Sequence, residues 1–349
     1  MSKNLRILIS AVEPSGDRLA AKLIQALQNY ATVEALGITG PCMRAVGVQT
    51  LGEMKTISAM GITEVLSKLP ALYAAKKQLL QTMNTPIDCY IGVDAPDFHL
   101  PILAKAKRKG IPAIGYVSPQ IWAWRPNRAK KIATQVDTLL CLFDFEPPLY
   151  PKTCNAVWVG HPIIEDIPSR SKPIPYRFGL LPGSREQEIR KHIPLFVDTA
   201  KHIHDQHPKA QFILSCPQHL TLPTLPRFIE VSADGVQAMH DVQAALTKSG
   251  TVTLELALME VPMVVAHVVN RLTYAIGKKL VTGINHLALP NILSQREVVP
   301  EFIQNPTPMA LASGLLNVSR QSIDLTSIQR DRPIEHAARA VLQTLVGKK

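Results

Sequence analysis

Two carboxylates stand at the end of an apolar run, in Ile91-Gly92-Val93-Asp94-Ala95-Pro96-Asp97-Phe98. A carboxylate held near a hydroxyl can act as a general base. One of Asp94 and Asp97 suits that task. The other suits the turn at Pro96, because aspartate bonds readily to local backbone. A second candidate is Leu181-Pro182-Gly183-Ser184-Arg185, where an apolar run passes through small residues into a helical pattern. A helix start offers unpaired N–H groups and a positive dipole to an anion. Gly183 lets backbone approach closely, and Arg185 can fork onto two phosphate oxygens. The same residues fit an ordinary strand-to-helix turn with Ser184 as cap. A third candidate is Lys248-Ser249-Gly250-Thr251, a second helix start with Ser249 and Thr251 as cap residues. Glu255 follows one turn later. There an acid can accept hydrogen bonds from ribose hydroxyls, or simply favour the helix dipole from the surface.

The loop Glu13-Pro14-Ser15-Gly16-Asp17 follows the first apolar run. It is neither a P-loop nor a dinucleotide glycine fingerprint, which argues against ATPase and dehydrogenase chemistry. In Ser118-Pro119-Gln120-Ile121-Trp122-Ala123-Trp124-Arg125, two tryptophans precede the cations Arg125, Arg128, Lys130 and Lys131. That mix suits nucleic acid, a lipid headgroup or a sugar. It equally suits a tryptophan-packed loop before a solvated basic helix. Residues 60–80 carry Met60, Ile62, Val65, Leu66, Leu69, Leu72, Leu79 and Leu80, interspersed with Lys68, Lys76 and Lys77. They fit acyl chains and an anionic membrane, or a plain amphipathic helix packed on a core.

Placing these residues requires strands and helices in alternation. Strand patterns lie at 5–10, 33–37, 88–93, 111–117 and 138–143, with helical patterns at 17–30, 101–109 and 125–136. After a proline-rich linker at 162–175, strands read at 177–181, 210–215, 245–248 and 263–267, with helices at 186–204, 237–244 and 251–259. Such alternation implies parallel sheets with helices on both faces, whose carboxyl ends carry the ligands. The expected division is a domain at 1–160 and a second at 161–332, with a terminal helix at about 333–349 free to pack back on the first.

The 349 residues are comfortable for two cores, and 46% are hydrophobic. A formal charge of +11 favours anionic partners without choosing among them. The five cysteines form no paired motif, which argues against a disulfide framework and for a reducing compartment. His202, His204 and His207 lack a cysteine or carboxylate at ligand spacing and read as a solvated face, so no metal is expected. No apolar run reaches the roughly 18–20 residues of a membrane-spanning helix. Leu5 to Val12 reads as a first strand and not as a signal peptide. A cytoplasmic protein follows, with docking on a membrane surface allowed by its charge.

Taken together, the motifs resemble the lipid-A-disaccharide synthase family of bacterial glycosyltransferases. The matching segments are 13–17, Met60-Gly61-Ile62-Thr63-Glu64-Val65-Leu66, 92–98, 116–125, 181–185, 249–255 and Leu289-Pro290-Asn291-Ile292-Leu293, in the family's order. The resemblance implies an α/β GT-B fold, two Rossmann-like domains with parallel sheets facing a central cleft. It implies inverting transfer of 2,3-diacylglucosamine from its UDP derivative to the 6-hydroxyl of 2,3-diacylglucosamine 1-phosphate (lipid X), releasing UDP. No cofactor or nucleic acid is implied, and a homo-oligomer is allowed. The absence of an Asp-x-Asp motif agrees with metal independence.

By the same resemblance, Asp94 corresponds to the catalytic carboxylate. Gly183, Ser184, Arg185, Ser249, Gly250, Thr251, Glu255 and Asn291 fall in the donor site. Ser15, Gly16 and Asp17 fall in the first, acceptor-side loop. Met60, Ile62, Val65, Leu66, Leu69, Lys76 and Lys77 fall on the lipid-facing stretch, which implies a peripheral position on the inner face of the cytoplasmic membrane. Two departures stand out. Val12 occupies a position where the family usually has glycine, which narrows the approach to the acceptor. Residues 216–231 are short and carry Pro217, Pro223 and Pro226, which implies a missing helix. The alternatives are another GT-B protein, such as a UDP-N-acetylglucosamine 2-epimerase or a MurG-like transferase, or a basic membrane- or nucleic-acid-binding module without catalysis.

Overall fold

Apolar, β-branched runs become strands buried on both faces, as a parallel sheet requires. The computed structural model describes residues 4–57, 62–123, 126–218, 220, 222–268, 286–304 and 306–347. They divide into two units, Met1–Pro162 with Ser327–Lys349, and Ile163–Thr326.

The first unit contains β1 (Asn4–Ala11), β2 (Thr32–Thr39), β3 (Gln49–Glu53), β4 (Cys89–Val93), β5 (Ala113–Tyr116), β6 (Thr138–Cys141) and β7 (Asn155–Trp158). They form one parallel sheet in the order β3-β2-β1-β4-β5-β6-β7. Helices α1 (Pro14–Gln28), α2 (Pro41–Ala45), α3 (Met54–Ile57), α4 (Ile62–Thr82), α5 (Pro96–Arg108) and α6 (Ala129–Gln135) connect the strands. On α1, Leu23, Ile24 and Leu27 recur at helical spacing and are fully buried. The helix Pro333–Val346 returns to this unit. Ala337, Val341 and Leu345 on it are buried, and Thr344 Oγ1 meets Thr138 Oγ1 at 2.7 Å.

The second unit contains β8 (Ile174–Leu181), β9 (Gln211–Ser215), β10 (Ile229–Ser232), β11 (Val242–Lys248), β12 (Met263–His267) and β13 (Glu301–Ile303). Its parallel order is β10-β9-β8-β11-β12-β13. Helices α7 (Glu186–Gln206) and α8 (Val252–Leu258) follow β8 and β11. Phe178, Phe196, Phe212 and Leu246 are central to its core. The crossover from β9 to β10 carries no helix among its described residues.

Local patterning misplaces two elements. The helical pattern at 237–244 is a short 3-10 turn, Gly235–Met239, followed by β11, which begins at Val242. Ala244 and Ala245 favour a helix in isolation. Here they are fully buried between β8 and β12, and tertiary pairing decides. The helix expected from 101 begins at Pro96, with Pro101 tolerated inside it. No described helix is long and apolar enough to cross a membrane.

Each sheet reverses its strand order once, between β1 and β4 in the first unit and between β8 and β11 in the second. In open α/β sheets the crevice outside the carboxyl ends at this reversal receives the ligand.

Candidate active site

In the first unit the reversal lies between the ends of β1 and β4. Asp94 is the first residue beyond β4 and Ala95 the next. Both are left-handed, with φ of 55° and 40°. Non-glycine residues avoid this region, at roughly 1–2 kcal/mol each, and such conformations gather where function holds them. Two contacts hold them here. The Asp94 N–H donates to the Tyr116 carbonyl at 2.8 Å, and the Ala95 carbonyl accepts from the N–H groups of Phe98 and His99, at 3.0 and 3.1 Å. Asp94 is half-buried. Asp97 points outward, its side chain 75% exposed, and pairs with Arg128 at 2.9 Å. The geometry therefore separates the two carboxylates.

Beneath this turn runs a buried polar chain. The Ser10 and Tyr90 hydroxyls share a hydrogen bond of 2.9 Å, and the Tyr90 hydroxyl meets His99 Nδ1 at 2.8 Å. Burial pushes His99 down to about 3, so its imidazole is neutral. Gly92 makes room for it, since a Cβ there would stand 2.8 Å from His99 Cβ.

The first loop lies beside the same strand ends. A Cβ on Gly16 would stand 3.3 Å from the Val93 carbonyl oxygen, so glycine lets α1 start close to β4. Ser15 is exposed. Asp17, expected in the acceptor-side loop, is engaged by backbone. It is 1% exposed and accepts from the backbone N–H groups of Gly40, Cys42 and Met43 at 2.9, 2.8 and 3.1 Å. Its carboxylate thus satisfies the open N-terminus of α2. Val12 packs into the core.

The tryptophan loop follows β5 through Val117, at a φ of 77°, rare for a β-branched residue. Ser118 is buried, and its hydroxyl meets that of Tyr150 at 2.9 Å. Trp122 Nε1 donates to Glu146 at 3.4 Å, and its ring meets Phe143 and Phe145 edge-on. Glu146 also accepts from the Leu142 and Phe143 N–H groups, and burial pushes it up to about 7. Trp124 and Arg125 lie outside the described residues.

On α4, Ala75 and Leu79 face the core while Leu69 and Tyr73 are exposed, 49% and 72%. Lys77 is exposed and Lys76 half-buried. Met60 lies outside the described residues, and the side chains of Ile62, Val65 and Leu66 are likewise outside the description.

In the second unit the reversal is flanked by Pro182 to Arg185 after β8 and Ser249 to Thr251 after β11, with Leu181 paired to Thr247. Gly183 has a φ of 128°, where side chains are strained. The residue at the α7 cap position is Arg185 and not Ser184, and its side chain makes no cap bond. Glu188, four residues beyond Ser184, does that work. It accepts from the Ser184 N–H at 3.3 Å, Arg185 at 3.2 Å and the Lys248 ammonium at 2.9 Å. Burial raises the cost of its charge, but Lys248 and Arg185 more than offset it and lower its pKa. Neither Glu188 nor Lys248 stands out in the sequence, because the second lies 60 residues from the first.

Nearby, His192 Nδ1 donates to the Glu188 carbonyl at 2.8 Å, and its Nε2 accepts from the Val268 N–H at 3.3 Å. Burial, then Lys248 and His192, push His267 down to about 4.

At α8 the hydroxyls do not cap as the pattern suggests. Ser249 donates to the Leu287 carbonyl at 2.7 Å, and the side chain of Thr251 at the cap position makes no cap bond. Gly250 is half-buried, and Glu255 is half-buried on α8. Asn291 is also turned inward. It is fully buried, its amide donates to the Val299 carbonyl and to Glu301, and its oxygen accepts from the Val298 and Val299 N–H groups. Those bonds use its side chain to hold the loop at 291–301. The expected solvated histidine face is partly packed as well, since His204 stacks on Phe228 and His207 on Tyr176.

Comparisons with known proteins bear on the family and the fold. A family model described as lipid-A-disaccharide synthetase matches residues 7–338. The chain is similar to a lipid-A-disaccharide synthase of Chromobacterium violaceum, 35% identical, with 97% of each chain covered. It is similar to one of Geobacter metallireducens, 39% identical, over 86% of this chain and 84% of the relative. Among solved structures, it resembles in fold the UDP-GlcNAc 2-epimerase of Methanocaldococcus jannaschii, with a TM-score of 0.61 at 11% identity, covering 98% and 100% of the two chains. It likewise resembles Acinetobacter baumannii MurG, with a TM-score of 0.53 at 13% identity, covering 99% and 98%.

Proposed function

The chain belongs to the lipid-A-disaccharide synthase family and is a glycosyltransferase of GT-B-like fold, and from that premise we propose that Asp94 is the base of its transfer reaction. The donor is UDP-2,3-diacylglucosamine and the acceptor is the 6-hydroxyl of 2,3-diacylglucosamine 1-phosphate. Asp94 takes the hydroxyl proton as the oxygen attacks the anomeric carbon. The bond to the UDP oxygen breaks, the configuration inverts, and the β-1′,6 disaccharide and UDP leave. The developing charge on the leaving diphosphate needs fixed donors. Arg185 and the N–H groups at the start of α7 supply them. Glu255 accepts from the ribose hydroxyls.

The observation that carries this reading is the place of Asp94. It is the first residue beyond a central strand at the order reversal, held left-handed by Tyr116. The test is to incubate the purified protein with both substrates in mixed micelles and assay UDP and disaccharide. Disaccharide formation is expected, and folded protein that releases neither product overturns the reading.

The acyl chains need an apolar surface. We assign that role to the outward face of α4, where Leu69 and Tyr73 are exposed beside Lys76 and Lys77, together with Met60, Ile62, Val65 and Leu66. On this reading the protein works from the cytoplasm on the inner face of the membrane. Sedimentation with anionic vesicles should fall when Leu69 and Tyr73 are both changed to serine. Unchanged sedimentation would remove α4 from the contact.

A further inference from the structure

Glu188 is a carboxylate on which three donors converge at the start of α7. Its Oε1 accepts from both Arg185 and Lys248, at 3.2 and 2.9 Å, and its Oε2 from the Ser184 N–H at 3.3 Å. Two cations and a backbone N–H converging on one small anion are the donor set that a diphosphate oxygen pair takes. Lys248 is held at the end of β11, beside Leu181 and the start of the phosphate loop. The space over Gly250 opens toward it, since among the described residues a Cβ there would meet only the Lys248 ammonium, at 3.8 Å. The two cations and one carboxylate leave a net charge of +1 in the cluster.

We propose that Glu188 is a resident anion of the donor site, which holds Arg185 and Lys248 in place while the site is empty and shares them with the diphosphate when it fills, and that Lys248 is itself a diphosphate ligand. The proposal rests on the donor-site reading above. It has a consequence for the order of affinities. A UDP-sugar carries two negative charges on its diphosphate and free UDP close to three. A fixed carboxylate beside them repels the product more than the donor, and so favours release of UDP after transfer.

The test is calorimetric titration of the purified full chain with UDP, with uridine as a probe that lacks the phosphates. Glu188→Gln keeps an acceptor oxygen and removes the charge. It is expected to bind UDP about three- to thirtyfold more tightly, as removal of one like charge a few ångströms away allows, with uridine affinity unchanged. Unchanged or weaker UDP binding overturns the proposal. Arg185→Ala in the same titration separates the two readings. If it leaves UDP affinity unaltered, the donor site itself is misplaced and the proposal falls with it. If it weakens UDP binding while Glu188→Gln fails to strengthen it, the resident-anion role alone falls. Should Glu188→Gln not fold, Lys248→Met carries the test. At least a fivefold loss of UDP affinity with uridine unaffected supports the clamp, and full UDP affinity overturns it.

Discussion

The Asp94 N–H donates to the Tyr116 carbonyl at 2.8 Å, which ties the first residue beyond β4 to the last residue of β5. The bond closes a turn in which Asp94 and Ala95 are both left-handed. The backbone that carries the carboxylate is thereby fixed at the strand end.

Replacing Asp94 with asparagine should leave that turn intact, because asparagine also tolerates the left-handed region. With the base gone, turnover should fall by about 10²–10⁴, the usual worth of a positioned general base. UDP affinity should be unchanged, since the proposed diphosphate site lies in the other unit. Steady-state kinetics and titration with UDP check both parts, and retained turnover would remove Asp94 from the reaction.

Gly183 allows no side chain. Its φ of 128° strains any L-residue, and an added Cβ would stand 2.6 Å from a Glu188 oxygen. Gly183→Ala should cost about 1–3 kcal/mol in stability and displace Glu188 together with its two cations. Weaker UDP binding in titration is the expected result. Wild-type affinity would show that the loop and Glu188 act independently.

Asp17 is expected to matter for folding and not for acceptor binding. Removing its carboxylate leaves three backbone N–H groups, two buried and one half-buried, without their acceptor. Asp17→Ala should lose about 3 kcal/mol in urea unfolding, given the worth of charged hydrogen bonds. Turnover per folded molecule should survive. Wild-type stability with lost turnover would restore Asp17 to the acceptor site.

His99 makes stability depend on acid. Burial holds it at about 3 in the folded protein, against 6.5 for the free side chain. Between those values the unfolded chain binds a proton that the folded protein refuses. The His99 contribution to stability is therefore full above about 6.5 and declines as pH falls toward 3, by about 1.4 kcal/mol per pH unit for one proton. Glu146 opposes it in part. Burial raises it from 4.5 to about 7, so its contribution declines as pH rises through that window. In His99→Gln, the slope of unfolding free energy between pH 3 and 6.5 should flatten by about one proton. An unaltered slope would mean that His99 titrates normally.

Alternation of apolar runs with helical patterns was enough to place most strands, and the strand ends bearing Asp94 and the Pro182–Arg185 loop were legible from it. The roles of individual polar side chains were not. Asp17 reads as a loop acid because its three partners lie 23 to 26 residues further on. Asn291 enters the donor site only through the family resemblance, and nothing local reveals the four bonds that engage its amide. Glu188 looks like one acid among several on a helix until β8 and β11 pair and bring Lys248 beside it. Pattern reports which face of an element is buried. It does not report which donor finds which acceptor across a sheet.

The return of helix Pro333–Val346 to the first unit bears on how the chain matures during translation. When residue 162 has left the ribosome, the seven strands of the first sheet exist but the helix that meets α1 and β6 has yet to be made. The second unit is continuous, from Ile163 to Thr326, and can complete itself as it emerges. The half bearing Asp94 would thus be begun first and finished last, and its α1 would need a temporary cover from water for as long as it takes to synthesise the other half.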